Sequence, residues 1–196
     1  MRSNLPRTKR AVAILIASGV LTLAASSPAV SDTRWIRDPE DTPGRFDIIK
    51  LRHGHAQRAG VLWHEVKTAE PWRSFRMNGR SDITFEFTVD GEDEFDEYHV
   101  YFEFEGKELK AWMVPYNERS DGASIGHPPS RIEVRRPTRR RLRVYFHRDT
   151  LGGNVTRYGW SVWSIYKEAD SRQCDNRPCD DFAPRGEGPD RLFHTF

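Results

Sequence analysis

Ile83-Thr84-Phe85-Glu86-Phe87-Thr88-Val89 alternates apolar and polar residues without a break, and a two-residue period is that of a strand with one buried face. Ile83, Phe85, Phe87 and Val89 therefore share one side of a sheet. Tyr98, Val100, Phe102 and Phe104 repeat the pattern against His99, Tyr101, Glu103 and Glu105. Leu142, Val144 and Phe146 do so again, opposite Arg141, Arg143, Tyr145 and His147. Less regular strand candidates occupy 46–51, 60–68, 108–115, 130–134 and 158–166. Asp90-Gly91, Glu105-Gly106, Asp121-Gly122, Pro128-Pro129 and Gly152-Gly153 fall between the runs as turns. No stretch carries a helical stripe with caps. About eight strands at this spacing predict an all-β fold, an antiparallel two-sheet β-sandwich of jelly-roll type. With no internal repeat and no long linker, residues 32–196 read as a single domain.

Residues 1–31 read as a cleavable signal peptide. Arg2, Arg7, Lys9 and Arg10 make a basic start, Ala11 to Ala25 is an uncharged apolar run, and Ala29-Val30-Ser31 offers small residues for cleavage before Asp32. The apolar run is shorter than the roughly 20 residues a membrane-spanning helix needs. The mature chain is therefore expected outside the cell, with no stable membrane insertion after cleavage. Loss of the leader's four bases takes the formal net charge from +2 to −2. A near-neutral chain gives no global reason to expect nucleic acid as a partner. Arg135-Arg136 and Arg139-Arg140-Arg141 flank Pro137 and read as a solvated hairpin end rather than an anion site.

Cys174 and Cys179 enclose four residues, and in an oxidising compartment their pairing in a disulfide is the economical expectation. A loop this small contributes about 2 kcal/mol in the chain-entropy account. The spacing is not C-x-x-C and there are only two thiols, which argues against a zinc or redox role.

Three segments carry a family likeness: Asp38-Pro39-Glu40-Asp41-Thr42-Pro43-Gly44-Arg45-Phe46-Asp47-Ile48, Tyr158-Gly159-Trp160-Ser161, and Cys174 to Cys179 with Asp180-Asp181-Phe182-Ala183-Pro184. Over residues 35–184 the chain resembles small secreted actinobacterial β-sandwich proteins of unknown function, similar to DOMON-like domains and family 9 carbohydrate-binding modules. The resemblance implies a binding or structural module more than an enzyme. Members of that wider group bind sugars, haem or calcium, so it does not select a ligand.

Two sets of site residues follow from the residues themselves. Asp38, Asp41 and Asp47 lie in or beside a Pro- and Gly-containing loop, and Asp180 and Asp181 follow the cysteine pair; such oxygen-rich segments suit calcium. If the chain ends are neighbours, one ion would clasp them, with Asp47 and Asp181 leading the set. The alternative is that these acids cap turns or pair with Arg34, Arg37, Arg45 and Arg185. The second set is aromatic. Trp112 and Trp163 stand on the polar parity of their strands, and with Tyr101 and Tyr145 they are candidates for a platform that stacks on sugar rings. A packing role for each ring is the alternative.

Other motifs are weaker. The acidic run from Asp90 to Glu97 fails the calcium-loop pattern, with Phe95 where glycine is needed. His53-Gly54-His55 could chelate a metal if extended. Gly122-Ala123-Ser124-Ile125-Gly126 lacks the strand-to-helix setting of a nucleophile elbow. Three functions stay open: a secreted module binding a polysaccharide or cell-envelope polymer, with structural calcium; a secreted carbohydrate-active hydrolase using acids near Glu94 and Asp96; and a structural or protein-interaction domain without a small ligand.

Overall fold

A computed structural model of the chain describes residues 34–56, 60–77, 81–89, 97–117, 122–123, 129–152, 155–166, 174, 178–184 and 192–195. Residues 1–31, expected to form a leader, and the acids Glu94 and Asp96 lie outside the described residues. In chain order the strands are β1 (Ile36–Arg37), β2 (Ile48–His55), β3 (Val61–Thr68), β4 (Ser81–Val89), β5 (Glu97–Glu105) and β6 (Glu108–Asn117). They continue as β7 (Gly122–Ala123), β8 (Ser130–Arg135), β9 (Arg141–His147), β10 (Arg157–Tyr166), β11 (Cys179–Ala183) and β12 (Leu192–Thr195). Ser74–Arg76 and Arg148–Leu151 form short 3-10 turns, and Cys174 also carries 3-10 geometry. None of these is long and apolar enough to cross a membrane.

The all-β, antiparallel expectation matches the structure, but the division into two sheets does not. One continuous sheet runs β1-β2-β3-β9-β8-β6-β5-β4-β10-β11, with β7 beside β6 and β12 beside β10. The join is a corner where Ala111, Trp112 and Met113 of β6 pair with Ile132, Arg131 and Ser130 of β8. Alternation predicts faces, whereas the corner is a matter of which edges meet. Beyond it the sheet curls back on itself. His64 of β3 and Phe146 of β9 meet Phe87 of β4 at ring separations of 4.8 and 5.0 Å, and His64 meets Trp160 of β10 at 4.7 Å.

The interior is filled by the residues that alternation places inside: Ile83, Phe85 and Phe87 from β4, Val100 from β5, Leu142 and Val144 from β9, and Tyr158, Trp160 and Val162 from β10, all buried. Burying each large apolar side chain contributes roughly 1.5–3 kcal/mol. His64 is buried among them because the Tyr158 hydroxyl lies 2.9 Å from its Nε2. That bond removes the cost of an unsatisfied polar group.

The far ends of the sheet meet without a ladder. The Ile48 N–H of β2 donates to Asp181 Oδ2 of β11 at 2.6 Å, and the Ser164 hydroxyl donates to the Phe46 carbonyl at 2.8 Å. Next to this seam Phe46 packs edge-on against Trp72 and Tyr166 at 5.1 and 5.8 Å. The disulfide Cys174–Cys179 is formed, with Cα atoms 5.4 Å apart, and holds the start of β11 where Cys179 pairs with Tyr166.

Gly44 enters the seam at φ 122°, and a Cβ there would stand 2.9 Å from the Tyr166 ring. Gly44→Ala is expected to lower stability by about 1–3 kcal/mol through backbone strain and overpacking. Gly106→Ala, at φ 65° with nothing within 4 Å, should cost only about 1 kcal/mol. Urea unfolding midpoints of the two variants check the contrast.

Candidate functional site

The seam collects acids because one strand and one loop bring them to a single point. In β11 alternate residues face inward, so Asp181 is buried while Asp180 is exposed. From the other side, the loop before β2 turns so that the Thr42 N–H donates to Asp47 Oδ1 at 3.2 Å and the Thr42 hydroxyl to Asp41 Oδ1 at 3.3 Å. One carboxylate oxygen from each of Asp41, Asp47 and Asp181 then lies within 4.8 Å of the others. Asp47 is 1 % exposed, and its Oδ2 has no hydrogen-bond partner among the described residues. Burial, with Asp181 adding repulsion against the pull of the Thr42 N–H, raises the Asp47 carboxyl from 3.8 to about 6.

Three carboxylates around one point suit a hard cation, which takes oxygen ligands and offsets their repulsion. Two of the five expected acids stand apart from the three. Asp180 touches the loop through its carbonyl, which accepts from the Thr42 hydroxyl at 3.3 Å. Asp38 is buried at the start of the same loop, where its N–H donates to the Ile49 carbonyl at 3.0 Å.

Three of the four candidate aromatics share a transverse row on the outer face. Tyr101 of β5 pairs with Trp112 of β6, and Trp112 with Arg131 of β8. Trp163 of β10 pairs with Thr84 of β4 and with Phe182 of β11. The Phe85–Val100 register carried one residue further sets Thr84 beside Tyr101. Tyr101 is 38 % and Trp163 36 % exposed, while Thr84 between them is buried although it faces outward. Strands spaced about 4.8 Å apart give the row a length of several sugar rings. The Tyr101 hydroxyl lies 3.2 Å from His99 Nδ1.

Tyr145 is not in that row. It lies on the outer face of the other half of the sheet, opposite Trp63 and Glu133, with the Arg135 guanidinium 5.0 Å and the Arg143 guanidinium 5.8 Å from its ring. Here one carboxylate organises three arginines. Glu65 is fully buried, and its Oε2 accepts from Arg52 Nε and Nη2 at 2.9 and 2.7 Å and from Arg143 Nε at 3.0 Å; Arg141 Nε stands 3.8 Å from Oε1. Trp35 lies 4.2 Å beneath Arg52, and Trp63 lies 4.6 Å beneath Arg143. Burial would lower the Arg143 guanidinium, but hydrogen bonds to Tyr145 and Glu65 hold it above its ordinary value. Sequence reasoning missed this cluster. Its signal was the outward parity of Arg141 and Arg143, and the partner Glu65 depends on which strand lies next to β9.

Of the histidine pair, His53 is drawn into packing while His55 is exposed at the end of β2. His53 Nδ1 accepts from Trp160 Nε1 at 3.1 Å, and burial, then His55, lowers its pKa. His99 and His147 stand on strands of the sheet that β6 and β8 keep apart.

Replacing Glu65 with alanine leaves three partly buried guanidinium groups facing one another. The expected loss is about 3 kcal/mol or more, the scale for removing one partner of a buried charge cluster. Arg52→Ala, which keeps Arg143 and Arg141 on the carboxylate, should cost less. Denaturant titration of both variants measures the difference.

Compared with known proteins, the chain matches no family model, no curated protein and no solved structure.

Proposed function

We propose that the mature chain is a secreted binding module that holds a polysaccharide or cell-envelope polymer along the outer row of Trp163, Tyr101 and Trp112, with calcium at the acidic seam as a structural clasp. The observation that carries the proposal is the common row: three aromatic side chains from three strands lie on one outward line, two of them more than one-third exposed. A sugar ring presents an apolar C–H face to an aromatic ring, while Arg131 at the end of the row offers donors to hydroxyls. The likeness to carbohydrate-binding modules belongs to the same proposal. Surface patches of this kind bind without a deep cleft, which suits a chain of repeating units.

Glycan-array binding is the direct measurement. Trp112→Ala and Trp163→Ala should each weaken polymer binding by about 1–3 kcal/mol, the scale of aromatic stacking on nucleobases, and, because both rings are partly buried, lower the melting temperature without unfolding the chain at 25 °C. Full retention of binding in the double variant would remove the proposal.

The clasp is tested by melting temperature with millimolar calcium and with chelator. An extracellular calcium site of roughly 10⁻⁴–10⁻³ M would stabilise the fold at pH 7.5 by about 0.4–1.4 kcal/mol at about 1 mM calcium. The pH dependence has a definite sign. Because folding raises the Asp47 carboxyl from 3.8 to about 6, its contribution without metal is fully present below its unfolded value and lost as pH rises through about 6. Calcium restores stability above that range and has little effect at pH 5, where protons compete for Asp47. Asp47→Asn should be more stable than the parent at pH 7.5 in chelator and indifferent to calcium. A parent melting curve insensitive to calcium rules the clasp out.

A further inference from the structure

Beyond the end of β3 the chain leaves the sheet and folds over the β8–β9 hairpin. The Trp72 N–H donates to the Arg139 carbonyl at 3.0 Å, and the Thr68 N–H donates to the Arg140 carbonyl at 2.9 Å. Arg136 fixes this crossing. Its guanidinium lies 3.5 Å over the Trp72 ring and donates to the Ser74 hydroxyl at 3.0 Å, to the Trp72 carbonyl at 2.9 Å and to the Arg139 carbonyl at 2.8 Å. Between hairpin and crossing is a cavity of about 270 Å³, lined by Arg45, Arg73, Arg76 and Arg139 together with Pro71, Trp72 and Phe75.

The chemistry of this lining is unusual for a chain of net charge −2 after leader removal. Among the described residues, four arginines and no acid line this cavity. Glu70 reaches Arg45 at 3.8 Å from outside it, in an exposed pair that is worth little. Arg136 stands behind this wall, and burial, then the nearby Arg139, pushes its guanidinium down to about 10. Phe75 is the most exposed large apolar side chain of the described residues, at 45 %. The adjoining edge of the outer face extends the positive region. Arg37, Lys50, Lys67 and Arg141 are consecutive cross-strand partners over β1, β2, β3 and β9, four cations in line of which Arg141 also reaches toward Glu65. Like charges directly opposite one another destabilise a sheet, and an anion brought to this edge relieves that repulsion.

We propose that the cavity is a second binding site, taking the anionic group, phosphate or carboxylate, of an acidic saccharide. Guanidinium forks match both oxyanions in bidentate geometry, and Phe75 with Pro71 offers an apolar wall to the attached ring. The anion half of the proposal stands on the arginines alone. The saccharide half rests on the polymer-binding function proposed above.

Calorimetric titration of the purified protein with glucose 6-phosphate, glucuronate, glucose, inorganic phosphate and AMP tests both halves. Glucose 6-phosphate or glucuronate should bind at least about 10-fold more tightly than glucose, and added salt should weaken it. Arg73→Gln with Arg76→Gln should reduce that affinity by about 10-fold or more, whereas Arg73→Lys with Arg76→Lys, which keeps the charge but loses the fork, should fall between. Phe75→Ala should weaken glucose 6-phosphate and leave inorganic phosphate unchanged. Absence of binding by every anionic probe, or equal affinity in the parent and the glutamine double variant, overturns the site. AMP binding about 10-fold more tightly than glucose 6-phosphate overturns the saccharide assignment in favour of a nucleotide. Trp112→Ala with Trp163→Ala should leave the titrations with inorganic phosphate and glucose 6-phosphate unchanged, whatever it does to neutral glucose. Loss of glucose 6-phosphate binding in that variant would place the anion at the aromatic row and overturn the cavity site, while loss of polymer binding alone leaves it standing.

Discussion

A linear order of ten antiparallel strands has two edges, and each edge presents backbone donors and acceptors that must find partners or water. In this protein the two edges approach each other closely enough to enclose a core, yet they do not zip together as strands. A side chain bridges the gap. The Asp181 carboxylate, projecting inward from β11, accepts the Ile48 N–H of β2, while the Ser164 hydroxyl satisfies the Phe46 carbonyl. Everything enclosed by the curl depends on this closure, including the ring cluster of His64, Phe87, Phe146 and Trp160. The closure has an electrostatic consequence. A carboxylate buried to complete hydrogen bonding sits beside Asp47 and Asp41, so the same feature that seals the barrel-like fold concentrates negative charge at its seam. The disulfide anchors the β11 end of that arrangement.

Positive charge is sorted in the opposite sense. Glu65 lies on the outer face and is nevertheless fully buried, because Arg52, Arg141 and Arg143 close over it and Trp35 and Trp63 support the guanidinium planes. One row further along the same strands Arg37, Lys50 and Lys67 stand in line with Arg141, which itself reaches toward Glu65. Next to that row the arginines of the hairpin crossing line a cavity. A chain that is almost neutral in total therefore has an acidic seam and a basic end, and its outward aromatics run across the half of the sheet formed by β6, β5, β4 and β10. Net charge carries none of this, since it sums over residues that the fold separates.

Much of the architecture was legible in the residues. The alternation in 83–89, 98–105 and 141–147 placed three central strands with the correct faces inward. Gly106 with Lys107 forms the two-residue turn between Glu105 and Glu108. Strands β1, β7, β11 and β12 were not anticipated, with Gly122 of β7 read as part of a turn, because they are short and lack a full period of alternation, so only pairing to a neighbour makes them strands. Arg135, Arg136 and Arg141 read as a solvated hairpin end. The turn is where it was expected, but Arg136 is packed on Trp72 and Arg141 reaches toward Glu65. Residue types can mark a hairpin, and they carry no information about which loop will cross over it.

The sequence by itself determined the fold class, the inward and outward faces of the main strands, the disulfide pair and the residue types of the two candidate sites. Each of these follows from local chemistry: a period of two, turn residues, two cysteines, acids in a Gly/Pro loop, aromatics on polar parity. Tertiary structure alone decided strand order, and with it every relation across strands. It joined Asp41 and Asp47 to Asp181 while leaving Asp38 and Asp180 outside the cluster, and it put Trp163, Tyr101 and Trp112 in one row while sending Tyr145 among arginines. It also made a single curled sheet where two were expected. The reason is that alternation states which side of a strand is apolar, whereas neighbours are chosen by how all those apolar sides can be enclosed at once.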